Sequence, residues 1–154
     1  MTSPTERLAS LGYALPAPKA PVASYVPVTR SGKLLYLSGQ ISADANGVIA
    51  GRLGETMDVA AGRNAAASAA LAILAQVVHT AGVPLEKISR VLKLTVLVNS
   101  SPDFTDQHLV ANGCSDLLIE ILGDTGKHAR AAFGVAALPL GAAVEIDAVI
   151  EIAE

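Results

Sequence analysis

Two side chains in the run from His128 to Ile146, Arg130 and Glu145, carry the groups best suited to handling a small carboxylate ligand. The guanidinium of Arg130 is planar and always charged, and its fork of donors matches the two oxygens of a carboxylate. Glu145 is a proton carrier of the kind that orients or deprotonates a water. It lies fifteen residues further on, across the Leu138-Pro139-Leu140-Gly141 turn, so that the two are expected on neighbouring strands. Spacing alone leaves two readings open, a structural Arg-Glu ion pair, which is the plainer, and a ligand site.

The surroundings of Arg130 narrow the class of ligand. Lys127, His128 and Arg130 form the only local basic cluster, enough to hold one anion and too small for a nucleic-acid footprint. The eleven Lys and Arg residues are otherwise scattered and the formal net charge is -3, so nothing neutralises a run of phosphates and a ribonuclease is disfavoured. His128, two residues from Arg130, is a candidate for the pocket lining. His79, His108 and His128 have no ligand-like spacing with a second Cys or His, so no metal site is expected.

Other reactive types read as structural. The single cysteine, Cys114, falls in a predicted helix without a basic partner and reads as a small buried hydrophobe rather than a nucleophile. Tyr36 and Phe133 read as core. Gly51-Arg52-Leu53-Gly54 lacks the Lys-Ser or Lys-Thr of a phosphate loop, leaving Arg52 as a solvated charge.

These residues need a scaffold, and 154 residues, 51% of them apolar and only 3% aromatic, suit one domain with an aliphatic core. The opening Met-Thr-Ser-Pro-Thr-Glu-Arg has no apolar signal region, a cytoplasmic location is expected, and the Ala-rich stretch from Val59 to Ala81 is interrupted by Arg63, Asn64, Gln76 and His79 rather than running as a membrane span. Residues 1–22 form an N-terminal extension, with a short helix over Thr5 to Leu11 before the proline-rich connector Pro16 to Pro21. Strands are predicted over Ser24–Arg30 and Lys33–Ser38, turning at Ser31-Gly32. A long helix follows over Glu55–Ala81, then a strand over Ile88–Val98, a helix over Phe104–Ile121 weakened by Asn112-Gly113, and strands over Arg130–Ala136 and Ala143–Ile152.

The order ββαβαββ predicts an α+β fold, a mixed sheet with two helices on one face. In the strand over Ile88–Val98, alternation puts Leu92, Leu94, Val96 and Val98 on one face and the largely apolar Val91, Thr95 and Leu97 on the other. The helices cover one face only, which predicts a homo-oligomer. In the last strand Val144, Ile146, Ala148, Ile150 and Ile152 share one face, so Glu145 points away from the helices.

The whole chain resembles the Rid or YjgF-like family, also called L-PSP endoribonucleases. The resemblance runs through Tyr25 in Ala-Ser-Tyr-Val-Pro, Leu-Ser-Gly-Gln-Ile at residues 37–41, Ala129-Arg130, Val135-Ala136-Ala137-Leu138-Pro139 and Val144-Glu145-Ile146. It implies a chorismate-mutase-like fold assembled as a homotrimer with ligand pockets between subunits. It also implies hydrolysis of reactive 2-imino and enamine acids to 2-oxo acids and ammonia, without metal or organic cofactor, the imine being electrophilic by itself. Arg130 would then pair with the substrate carboxylate, Glu145 would act on the water, Tyr25 would hydrogen-bond the ligand, and Ser38 and Gly39 would line the pocket, with Asn112 a further candidate. Where the best-known deaminases often have Ser-Cys after the arginine, this chain has Ala131-Ala132, leaving only the backbone N–H of Ala132 in the place of a thiol. That departure marks a divergent subgroup and keeps a carboxylate-binding or stress-protective protein without turnover as the alternative.

Overall fold

A computed structural model describes residues 1–21 and 23–154. Helix α1 (Pro4–Ser10) starts at a capping box, Ser3 accepting from the Glu6 amide and Glu6 reaching back to the Ser3 amide, with Pro4 in the first turn. The hairpin of β1 (Val28–Ser31) and β2 (Leu34–Ile41) turns at Gly32-Lys33, one residue later than expected, and residues 24–27 are not strand. Gly32 takes φ +59°, which a glycine adopts without strain. A small ribbon of β3 (Ala43–Asp44) and β4 (Gly47–Val48) follows.

Helix α2 (Val59–Ala75) begins later than Glu55 because the 55–57 amides bond back to the Arg52 carbonyl and Asp58 caps the helix, accepting from the Ala61 amide. It ends in a π-helical turn, Gln76–Thr80. Among the described residues, Val59–Thr80 has the length and hydropathy that would suit a membrane, but over half of its apolar window, 56%, is buried inside the domain, as in a core helix. Strand β5 (Ile88–Asn99), helix α3 (Gln107–Leu122), β6 (Ala129–Val135) and β7 (Val144–Ile152) complete the chain.

The main sheet runs β1-β2-β7-β5-β6, antiparallel except for the parallel β5–β6 pair. Strands β6 and β7 are therefore not neighbours, as the turn between them suggested. Strand β5 lies between them, and β6 is an edge. Helices α2 and α3 lie on one face, as expected, packed through small residues: Ala65, Ala66, Ala69 and Ala70 of α2 are fully buried. A Cβ on Gly113 would run into the Arg63 carbonyl, so the glycine that weakens α3 as an isolated helix is what lets the two helices touch.

The phase of β5 differs from simple alternation. Irregular pairing with β7 at Ile88/Arg90 and Val91/Lys93 puts Val91 on the helix face with Leu94, Val96 and Val98, and turns Leu92 outward. The last strand alternates as predicted, Val144, Ile146, Ala148, Ile150 and Ile152 buried and Glu145, Asp147, Val149 and Glu151 turned the other way. On that second face no helix packs among the described residues, and Tyr36 (45% exposed) and Phe133 (47%) stand on it rather than in the core.

Candidate functional site

Arg130 is level with Leu94 across the β5–β6 pair, which places its side chain on the helix face of the edge strand. There α3 supplies its partners: Nη1 donates to Asn112 Oδ1 (2.9 Å) and to Ser115 Oγ (3.0 Å), and Nη2 donates to the His108 carbonyl (3.3 Å). All three acceptors are neutral. Asn112 and Ser115 sit three residues apart, a helical spacing that brings both to one face of α3. Ser115 was missed in the sequence, although that spacing from Asn112 signals it.

His128, the candidate for the pocket lining, is bonded within the chain. Both ring nitrogens are engaged, Nδ1 with the Gly126 carbonyl at 2.6 Å and Nε2 with Ser115 Oγ at 2.9 Å. Ala132 shares the inward phase of Arg130 and packs its methyl group against the core. Cys114 is fully buried, and burial pushes its thiol up to about 12 despite the nearby Arg130 charge, so it is no nucleophile.

Glu145 is level with Leu97 and lies on the opposite, helix-free face. The pairing of β2 with β7 shifts register between Leu37 and Gln40, and this bulge presents Gly39 under the carboxylate. A Cβ on Gly39 would stand 3.0 Å from Cδ and Oε1 of Glu145, a closeness only glycine grants easily. Ser38 in the same bulge donates from Oγ to the Val26 carbonyl (2.7 Å) and from its amide to the Pro27 carbonyl (2.9 Å), tying down the segment that carries Tyr25. Tyr25 is 48% exposed. Gln40, not among the predicted site residues, braces the bulge by donating to the Ser38 carbonyl at 3.1 Å, and itself accepts from Gln76 in the π-helical turn. Burial first, and then the charge of Asp147, raise the Glu145 carboxyl above its ordinary value.

The predicted residues thus form two clusters. Arg130, Asn112 and His128, joined by Ser115, lie on one face of the sheet at its edge. Glu145, Ser38 and Gly39, with Tyr25 tethered to them, belong to the other, and β5 separates the two. The plain Arg130–Glu145 ion pair does not exist, since no ion pair among the described residues includes either side chain. Arg52 is also corrected: its guanidinium donates to the Ala136 and Ser100 carbonyls, fastening the loop before α2 to the ends of β5 and β6. A surface depression of about 410 Å³ lies elsewhere, lined by Gly54, Met57, Asp58, Ser101, Phe104 and Asp106 among others.

An α+β domain with a mixed sheet, helices on one face and two polar half-clusters on opposite faces defines the class. The chain belongs to the YjgF/Rid family, whose sequence model, described as Endoribonuclease L-PSP, matches residues 16–152. Protein TCP17 of Trypanosoma cruzi is 47% identical over 147 residues, covering 94% of this chain and 91% of TCP17. The crystal structure of Atu1372 from Agrobacterium tumefaciens, described as of unknown function, is 48% identical with a TM-score of 0.89, over 96% of this chain and 91% of that one. RidA from the Antarctic bacterium Psychrobacter sp. PAMC 21119 is 26% identical with a TM-score of 0.57, over 88% and 94%. By TM-score the backbone is nearer to that of Atu1372 than to that of RidA.

Proposed function

We propose that this chain hydrolyses reactive 2-imino and enamine acids to 2-oxo acids and ammonia, in a pocket that adjacent subunits of a homotrimer build together. One observation carries the reading. Among the described residues, a half-buried cation is held only by neutral acceptors on one side of the sheet, and a half-buried carboxylate without a cation sits on the other. Leaving both charges uncompensated is costly, so each calls for a partner from outside the chain. A ring of identical subunits, each presenting its edge strand to the helix-free face of the next, supplies both at once.

In such a pocket Arg130 takes the substrate carboxylate. Glu145 of the neighbouring copy accepts a proton from water as the water oxygen bonds to the imine carbon, and returns it to the nitrogen, which takes up the C=N π pair. From the resulting carbinolamine it then takes the hydroxyl proton as C=O forms and passes it to the nitrogen, which leaves with the C–N electron pair as ammonia. The raised affinity of Glu145 for a proton suits both directions of this transfer. Tyr25, held by Ser38, reaches the same face. Ala131-Ala132 contributes no thiol, so positioning and one acid-base group must suffice, a combination worth roughly 10²- to 10⁴-fold for a group already electrophilic.

The test follows 2-iminobutyrate hydrolysis against semicarbazide trapping. The expected result is acceleration by the wild-type protein and none by Arg130→Ala or Glu145→Ala. Mixing and reassembling the two inactive variants in equal amounts should restore about a quarter of wild-type activity, because one pocket in four then draws Arg130 and Glu145 from the right copies. No restoration would overturn the shared pocket. Binding of 2-oxobutyrate without turnover would replace the enzyme with a carboxylate-binding protein, and RNA cleavage surviving both substitutions would replace it with a ribonuclease.

A further inference from the structure

The bonds behind Arg130 run in one direction. A carbonyl only accepts, so the 2.6 Å contact of His128 Nδ1 with the Gly126 carbonyl puts a proton on Nδ1. In the neutral ring Nε2 is then a lone pair, and the Ser115 hydroxyl must donate to it across 2.9 Å. With its proton so committed, Ser115 Oγ turns lone pairs toward Arg130 Nη1, 3.0 Å away. Donation therefore passes from Arg130 to Ser115, from Ser115 to His128, and from His128 to the backbone. Gly126 is fixed in turn, since a Cβ there would stand 2.5 Å from the Leu118 carbonyl of α3.

The consequence falls on the guanidinium. Of its five N–H groups, two on Nη1 go to Asn112 and Ser115 and one on Nη2 goes to His108. Nε–H and one Nη2–H make no hydrogen bond among the described residues, and Nε with Nη2 is the edge of a guanidinium that a carboxylate takes side-on. If the Ser115 hydroxyl were free to rotate, it would present its hydrogen to Nη1 part of the time and push the fork out of line.

We propose that His128, acting through Ser115, is a positioning residue that fixes the orientation in which Arg130 offers its Nε and Nη2 donors to a ligand carboxylate. This inference rests on the carboxylate-binding reading of Arg130. It assigns no contact between His128 and the ligand.

The experiment uses Ser115→Ala, His128→Phe and the double variant, with His128→Gln as the conservative control, since a glutamine carbonyl can accept the Ser115 proton as Nε2 does. Side-chain ¹⁵N spectra of Arg130 read its order without any ligand, and calorimetry with 2-oxobutyrate reads binding. Ser115→Ala and His128→Phe should each merge the separate Nη signals of Arg130 and weaken 2-oxobutyrate by about tenfold, the size of a lost hydrogen bond to a charged group. The double variant should be no weaker than either single one, because both act along one chain of bonds, and His128→Gln should restore the signals and most of the affinity. Unchanged Arg130 signals in His128→Phe and Ser115→Ala would overturn the proposal. Ordered Arg130 signals lost in those variants, with no binding of 2-oxobutyrate even to wild type, would instead overturn the ligand reading and leave the positioning intact.

Discussion

Glu145 shows how a site residue lowers the stability of its own fold. Burial and Asp147 favour its protonated form in the folded chain, so the folded state binds more protons than the unfolded one as pH rises through the carboxylate range. Stability contributed by this group is therefore intact below its unfolded value and lost as pH climbs through the raised folded value. Glu145→Gln should abolish activity while raising Tm at pH 7 by about 1–3 °C, a gain that melting curves should show vanishing in acid, below the ordinary carboxylate range. An equal Tm difference at both ends of the pH range would contradict the assigned cause. At this scale the sequence was informative about identity and poor about grouping. Chemistry and the resemblance point to Arg130, Glu145 and Asn112, and alternation turns Glu145 away from the helices, but that Arg130 lies on the other face follows from its pairing with Leu94, which no count of residues between the two reveals.

Elements were legible where periodicity and caps agree, as in α2 and β7, and less so where pairing decides. The strand–helix–strand order β5–α3–β6 carries its own signal, because two strands joined through a helix favour a parallel crossover over a hairpin. Pairing β6 with β7 through the Leu138–Gly141 turn ignored it. The phase of β5 was hidden for another reason: it turns on irregular pairing with β7 around Arg90 and Val91, which simple alternation along β5 does not contain. Gly113 lies between these cases. Read locally it breaks a helix, and alanine there should add about 1 kcal/mol of helix propensity. Its missing Cβ instead makes room for the Arg63 carbonyl, and overpacking typically costs 1–3 kcal/mol, more where backbone must move. Because the clash is with backbone, the upper end of that cost applies, and Gly113→Ala should destabilise by about 2 kcal/mol net in urea unfolding, with Asn112, its neighbour in α3, drawn out of line with Arg130. A stabilised variant would show that α2 and α3 have slack to separate.

The composition of the molecule makes one sheet face a core and leaves the other without a helix. Tyr36, Leu92 and Phe133 are exposed there, beside half-buried Leu97 and Val149. Apolar side chains on a sheet face this broad are seldom left in water, and the proposed pocket gives them a use, since the same contact that hides them brings Glu145 of one copy to Arg130 of another. Tyr36 separates the two roles, because it is level with Val149 and several residues along β7 from Glu145. Its side chain packs into no core in the single chain, so Tyr36→Lys should change the stability of an isolated subunit by no more than about 0.5 kcal/mol. Placed near Lys93, which is also level with Val149, the new charge should instead oppose assembly. Sedimentation should then show folded monomers, circular dichroism should be unchanged, and hydrolysis of 2-iminobutyrate should fall with the oligomer although every residue of both half-sites is intact. A monomer that kept full activity would mean that one copy brings Arg130 and Glu145 together by itself, which the opposite phases of β6 and β7 forbid.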